Sequence, residues 1–231
     1  MEKYSAVVLA GGSGKRMGLE VKKQYLEISG KPLIYYSLEM FEKSRVDEVI
    51  LVVTPGDEAF VKEKIVQPGG FTKVKSIVPG GKERYHSVYE GLKSCTGDYV
   101  LIHDGARAFL TEDIINRAME GVRQYRACVV GMPVKDTIKI AGEDGFVSDT
   151  PDRNLLWSIQ TPQAFEASLV KKAYEKVLAG DTTGITDDAM VVEKMTDTRV
   201  KLIEGSYDNI KVTTIEDLAI AENILKKQNR C

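Results

Sequence analysis

Short, nearly continuous runs of apolar and β-branched residues recur along the chain at Ala6–Leu9, Val49–Val53, Val74–Val78, Tyr99–His103 and Ala127–Met132. Runs of this length without polar alternation are the mark of strands buried on both faces of a parallel sheet. Between them lie amphipathic stretches at about Leu33–Glu42, Asp57–Ile65, Ser87–Lys93 and Glu112–Tyr125, whose periodicity predicts helices. Pro32 suits the first turn of the first helix. Thr111 before Glu112 and Asp113 reads as an N-cap followed by acidic first-turn residues. This β-α-β-α rhythm predicts an α/β fold with a doubly wound, mostly parallel sheet.

The pattern changes between Val134 and Thr150. Asp136–Ile140 alternates polar and apolar, the turn-prone Gly142-Glu143-Asp144-Gly145 follows, and Phe146–Thr150 comes after it. This predicts a β-hairpin projecting from the sheet, either an ordinary surface hairpin or a dimer arm. Trp157–Gln163, polar and broken by Pro162, reads as an ordered loop near a site. Further on come a helix at Ala167–Leu178, a helical Asp187–Met195, a strand Lys201–Glu204 and a closing helix from Ile215 to about Lys227. No linker or repeat divides the chain, so one domain is expected across residues 1–231, with the arm at about 135–155.

Composition narrows the function. Lys and Arg number 32 against 34 Asp and Glu, a net charge of −2, which argues against a general nucleic-acid binder. A local basic site for a small phosphorylated ligand stays open. Cys95, Cys128 and Cys231 have no paired spacing, so a disulfide scaffold or zinc site is not expected and a reducing compartment fits. No apolar run approaches the ~20 residues needed to span a bilayer, and no signal-peptide pattern opens the chain. A soluble cytoplasmic protein is expected, with no membrane partner.

The sharpest local feature is Leu9-Ala10-Gly11-Gly12-Ser13-Gly14-Lys15-Arg16-Met17-Gly18, directly after the first strand. Glycines there let backbone N–H groups approach a phosphate. In open α/β sheets the ligand crevice lies beyond the carboxyl ends of the strands. The dinucleotide fingerprint fails because Met17 stands where a third glycine would fall. The P-loop pattern fails at Leu9 and Arg16. What remains is a glycine loop ending in cations suited to a triphosphate, with Lys22 and Lys23 just beyond.

Gly80-Gly81-Lys82-Glu83-Arg84, with Ser87 shortly after, is a second turn at a strand's carboxyl end. Asp104, in Ile102–Arg107 after the fourth strand, is a turn residue or a ligand for Mg²⁺, which prefers hard oxygen donors. His103 reads as a hydrogen-bonded buried histidine with no catalytic role, and His86 as a loop residue. Lys211, in the short strand-like run Asp208–Thr213, is either a solvated edge residue or points into the crevice.

Taken in order and spacing, these segments resemble the 2-C-methyl-D-erythritol 4-phosphate cytidylyltransferase family along nearly the whole chain. The resemblance is carried by Ala10–Met17 with Lys23-Gln24-Tyr25, by Gly80-Gly81 with Glu83-Arg84 and Ser87, and by His103-Asp104 with Ala106-Arg107. Pro133-Val134, Asp136–Lys139, Asp152-Arg153, Leu156-Trp157, Gln160–Gln163, Thr186-Asp187 and Asp208–Thr213 complete it. It implies a Rossmann-like nucleotidyltransferase of isoprenoid precursor biosynthesis that works as a homodimer with CTP and Mg²⁺. Its arm would serve the neighbouring subunit's site.

By the same resemblance, Arg16 and Lys23 stabilise the reacting α-phosphorus and the leaving pyrophosphate, with Lys211 close to the reaction. The backbone of Ala10, Gly11 and Gly81, with the side chain of Ser87, binds cytidine, and Gly12 and Gly14 belong to the same nucleotide loop. Asp104 binds Mg²⁺ and, with Arg107, the methylerythritol part. Thr137, Arg153, Thr161, Thr186 and Lys211 address the sugar phosphate, Arg153 across the dimer.

Four residues depart from the family's usual pattern. Lys22 replaces Pro, which predicts a more mobile loop before Lys23. Lys82 replaces a frequent Asp in the cytosine-binding turn. Gly105 replaces Ala and Ala108 replaces Pro, which leaves the geometry of the Asp104–Arg107 loop open and the reaction type unchanged. The rival readings are a ribitol-5-phosphate cytidylyltransferase and a non-catalytic nucleotide-binding regulator. A dehydrogenase is disfavoured by the failed fingerprint. Arg16, Lys22, Lys23, Arg107, Arg153 and Lys211 are expected to converge on one crevice, with most acidic residues elsewhere.

Overall fold

The computed structural model describes residues 2–12 and 22–228. The strands are β1 (Tyr4–Ala10), β2 (Glu27–Ile28), β3 (Lys31–Pro32), β4 (Glu48–Val53), β5 (Val74–Pro79), β6 (Tyr99–Asp104), β7 (Ala127–Pro133), β8 (Ile140–Ala141), β9 (Val147–Asp149), β10 (Trp157–Glu166) and β11 (Lys201–Glu204). The α-helices are α1 (Leu33–Lys43), α2 (Glu58–Val61), α3 (Gln67–Gly69), α4 (Arg84–Ser94), α5 (Glu112–Tyr125), α6 (Ala167–Leu178), α7 (Asp188–Met195) and α8 (Glu216–Lys227). The predicted helix at Asp57–Ile65 is realised as α2 and α3 joined by a π-helical turn, Lys62–Val66.

Seven strands form one sheet in the order β11-β7-β10-β6-β1-β4-β5. All adjacent pairs are parallel except those of β10, which runs antiparallel to both β6 and β7. The result is the expected α/β, Rossmann-like sheet. From β1 the chain builds outward through β4 and β5, then returns to place β6 on the other side of β1. The switch point therefore lies between β1 and β6, where ligands bind in open sheets of this kind.

The sheet is covered on both sides, which is why its strands read as unbroken apolar runs. Ala6, Val8 and Ala10 face one core with α1 and α5. Val7 and Leu9 face the other, with Val88 and Leu92 of α4, Val170 and Tyr174 of α6, and Val192 of α7. A smaller cluster joins Ile28, Leu33, Ala108 and Phe109 to Ile224 and Leu225 of α8. Thr111 caps α5 as predicted, its hydroxyl accepting the Ile114 N–H at 3.3 Å, a contact worth about 1 kcal/mol in comparable helices.

Four expectations need correcting. Trp157–Gln163 is no loop but the first part of β10, a central strand of the sheet. Its register shifts between Ile159 and Gln163, around Pro162, which has no N–H to give the ladder. The strand-like run around Lys211 forms no strand; it is irregular chain tied by the Val212 N–H to the Ala106 carbonyl at 2.9 Å. His86 lies in the first turn of α4, which starts three residues before the predicted Ser87. The arm hairpin exists, but its ladder is only β8 with β9, and Asp136–Lys139 lies outside it.

Candidate active site

Asp104 is the last residue of β6 and pairs in register with Leu9 of β1, so its carboxylate stands at the switch point. Its Oδ1 receives Arg84 Nε at 3.2 Å and its Oδ2 receives Lys211 Nζ at 2.6 Å. Burial alone would raise its pKa; the Arg84 and Lys211 charges outweigh that and hold it well below the usual carboxylate range. The site thus presents a permanent anion between two cations.

The backbone around Asp104 is equally fixed. Its N–H donates to Thr161 Oγ1 at 3.1 Å, and the same oxygen lies 3.0 Å from His103 Nδ1. His103 Nε2 lies 3.2 Å from the Arg107 carbonyl oxygen. One neutral tautomer serves both contacts: Nε2–H donates to the carbonyl, and Nδ1 accepts from the Thr161 hydroxyl. Complete burial pushes the imidazole down to about 4. His103 is a strut and not an acid or base, as its sequence context implied.

That strut sets a pH dependence. The unfolded chain takes up the His103 proton near pH 6.5, the folded protein only near pH 4. Stability from this group is complete above about pH 6.5 and is lost as pH falls towards 4, by about 3 kcal/mol in full. Urea unfolding should show this fall in the wild type, and His103→Gln should flatten it. A wild-type unfolding free energy unchanged from pH 7 to pH 4.5 would contradict the assignment.

The other wall of the switch point is the end of β1. Gln24, buried in the 3₁₀ turn Lys23–Tyr25, donates from Nε2 to the Ala10 carbonyl at 2.6 Å. This ties the turn carrying Lys23 to the strand that opens the glycine loop. Among the described residues, nothing lies within 4 Å of a Cβ built on Gly12. Across β4, the Gly81 N–H donates to Ser87 Oγ at 3.0 Å, and a Cβ on Gly81 would lie 2.4 Å from His86 Cβ. Only glycine fits that turn.

Known proteins resemble this chain over nearly its whole length. The family model for 2-C-methyl-D-erythritol 4-phosphate cytidylyltransferase matches residues 4–227. A protein of that name from Lachnoclostridium phytofermentans is 49% identical over 228 residues, covering 98% of each chain. One from Caldanaerobacter subterraneus is 46% identical over 228 residues, covering 96% of this chain and 99% of its own. Among solved structures, the 4-diphosphocytidyl-2C-methyl-D-erythritol synthase of Anaerococcus prevotii superposes with a TM-score of 0.87 at 34% identity, over 97% of this chain and 96% of its own. This chain belongs to the 2-C-methyl-D-erythritol 4-phosphate cytidylyltransferase family. Membership makes it a nucleotidyltransferase and disposes of the dehydrogenase reading.

Within this cytidylyltransferase fold the predicted residues fall into groups. Asp104, Lys211 and Thr161 meet as described, and Ala10, Gly11, Gly12, Gly81 and Ser87 lie at the carboxyl ends of β1 and β5. Arg107 turns its donors inward, Nη1 to the Asn209 carbonyl at 2.8 Å and Nη2 to that of Ile159 at 3.4 Å. Thr137 and Arg153 belong to the arm, both exposed, and Arg153 Nη1 donates to the Lys135 carbonyl at 2.9 Å. Thr186 is exposed beside the N-terminus of α7. Arg16 and Gly14 lie outside the described residues.

The convergence of cations is therefore narrower than expected. Lys22 is engaged away from Asp104, its Nζ 2.7 Å from Asp57, and this ion pair anchors the residue predicted to loosen the loop. The Asp104–Arg107 turn is closed despite Gly105 and Ala108. The Gly105 N–H reaches the Leu9 carbonyl and the Arg107 N–H that of Asp104, both at 2.9 Å, and Ala108 is fully buried. Lys82 is exposed on its turn.

Two groups at the site had no role assigned from sequence. Arg84 was visible as the residue after a glycine turn, a position that can point into the crevice. Asp188 gave no signal, because a second Asp at a helix start reads as a solvated first-turn acid. No cluster of three or more His, Cys, Asp or Glu suited to a metal occurs among the described residues. The single ionised carboxylate of Asp104 still fits Mg²⁺, which commonly takes one or two carboxylates and completes its shell with phosphate oxygens and water.

Proposed function

We propose that this chain transfers the cytidylyl group of CTP to 2-C-methyl-D-erythritol 4-phosphate and releases pyrophosphate, a step of non-mevalonate isoprenoid precursor synthesis. The observation that carries the reading is Asp104, ionised between Arg84 and Lys211 at the switch point beside the glycine-bounded end of β1.

A phosphate oxygen of the polyol phosphate attacks the α-phosphorus in line. One P–O bond forms, the bond from the α-phosphorus to the bridging oxygen breaks, and pyrophosphate leaves with the electron pair. The attacking phosphate, with a second pKa near 6, is already largely a dianion at pH 7, so no general base is needed. That suits a site whose histidine is locked neutral.

The protein's work is then positioning and charge stabilisation. Arg16 and Lys23 stabilise the pentavalent α-phosphorus, through the charge on its oxygens, and the leaving pyrophosphate. The backbone at Ala10, Gly11, Gly12, Gly14 and Gly81, with Ser87, holds the nucleotide. Lys211, Thr161, Thr186 and Arg107 orient the polyol phosphate, and Asp104 would hold Mg²⁺. Bound there, the ion supplies positive charge to the phosphate oxygens. Pyrophosphate release that requires both CTP and the methylerythritol phosphate tests the reading. Release from CTP alone, or none at all, would defeat it.

The dimer belongs to the same proposal. The arm exposes Ile140, Phe146, Val147 and, nearby, Leu155, with Phe146 76% and Leu155 79% accessible. A cluster of this kind on a projecting hairpin is the sort of surface a second subunit covers. Thr137 and Arg153 on the arm would then complete the partner's polyol-phosphate site. Phe146→Asp with Leu155→Asp should shift sedimentation from dimer to monomer and lower turnover by about tenfold or more, given the loss of one positioning cation. A wild type that sediments as a monomer at assay concentration would contradict the arm's role.

The cytoplasmic location stays part of the proposal. It is supported by the two described cysteines, both buried free thiols. Among the described residues no helix is long and apolar enough to cross a membrane.

A further inference from the structure

The two cations on Asp104 grip it unequally. Arg84 gives Nε to Oδ1 at 3.2 Å, and both terminal nitrogens of the same guanidinium bind Asp188, at 2.9 and 2.8 Å. Asp188 is fully buried, and its Oδ1 also accepts the hydroxyl of buried Tyr174 at 2.5 Å. Arg84 is thus clamped by Asp188 of α7, which Tyr174 of α6 holds in turn. A planar guanidinium in a bidentate pair is held in orientation as well as position. Lys211 is different: a single ammonium on a flexible stem, 36% exposed, that donates to Oδ2 at 2.6 Å.

We propose that Arg84 is a positioning residue for Asp104: braced by Asp188 and Tyr174, it fixes Oδ1 and leaves Oδ2 as the exchangeable oxygen, which Lys211 covers in the free enzyme and yields when phosphate and divalent metal enter. The inference rests on the cytidylyl-transfer reading above. Releasing Arg84 would break three hydrogen bonds and strand a buried carboxylate. Among the described residues, releasing Lys211 breaks one, and an arriving phosphate replaces the lost anion. The exchange therefore runs on the Lys211 side. Because Arg84 opens α4 directly after the Gly81 turn, and Asp188 opens α7 directly after Thr186 and Asp187, the array also sets both loops relative to Asp104.

Arg84→Lys keeps the charge but cannot span Asp104 and Asp188 together. It should lower kcat about 30- to 100-fold, raise the half-saturating Mg²⁺ concentration at least about fivefold and change KM for CTP less than about threefold. Asp188→Asn, which touches only the back of Arg84, should reproduce the same pattern. The double variant should be no worse than either single one, as for residues acting as a unit. Mn²⁺ binding to the enzyme–CTP complex, followed by proton relaxation, reads the same defect without turnover and should weaken at least about fivefold.

Should Arg84→Lys fail to fold, Arg84→Gln with Asp188→Asn removes both charges together and carries the same readouts. Lower thermal stability with wild-type kcat, Mg²⁺ dependence and Mn²⁺ binding would reduce the array to a structural support and overturn the proposal. A wild type that binds Mn²⁺ and CTP but releases no pyrophosphate would instead defeat the functional reading on which it rests.

Discussion

Asp104→Asn is expected to lower kcat/KM by about a thousandfold, close to 4 kcal/mol of transition-state stabilisation. The size follows from what the carboxylate does. It stays ionised at neutral pH because Arg84 and Lys211 flank it, and it is the hard oxygen donor that would hold the divalent ion at the triphosphate. Asn keeps the volume and the backbone bond to Thr161 but has no charge. Arg84 keeps Asp188, whereas Lys211 loses its carboxylate partner. The stability loss should therefore stay near 1–3 kcal/mol, the range for a lost charged hydrogen bond. Steady-state kinetics beside a thermal melt separates the two effects. A variant within about tenfold of wild type in rate would remove Asp104 from the reaction.

Lys23→Ala should be nearly as damaging, lowering kcat by about 10²–10³-fold while the fold is kept. The turn bearing Lys23 is fixed by Gln24 on the Ala10 carbonyl, so truncating Lys23 leaves that anchor in place. The lost ammonium is one meant for charge that develops on the leaving pyrophosphate. The loss should accordingly appear in kcat more than in KM for CTP. Circular dichroism and the thermal midpoint should stay at wild-type values. A near-normal rate of pyrophosphate release would sink the role.

Much of this is legible in the sequence alone. The apolar runs gave the central strands because burial on both faces leaves no room for polar alternation. The glycine turns and Asp104 were legible because they fall just where strands end. What escaped was β10 and the machinery it carries. Gln160, Thr161 and Gln163 read as loop residues, yet all three are buried and each finds a partner. Gln160 donates to the Ser206 carbonyl, Thr161 to His103, and Gln163 to Asp187. A central strand that serves as strut for a polar site is polar for that reason, so its pattern mimics a loop. Asp188 escaped for the same cause: only its three-dimensional pairing with Arg84 and Tyr174 tells it from a solvated helix-start acid. The inward turn of Arg107 likewise depends on carbonyls of Ile159 and Asn209, distant in sequence.

The central claim is a cytidylyl transfer to one particular polyol phosphate. Its most direct test is a side-by-side measurement of kcat/KM for pyrophosphate release from CTP with 2-C-methyl-D-erythritol 4-phosphate and with ribitol 5-phosphate. The account predicts a preference of about a hundredfold or more for the methylerythritol substrate, the scale set by differential transition-state binding. Equal rates, or faster turnover of ribitol 5-phosphate, would contradict it.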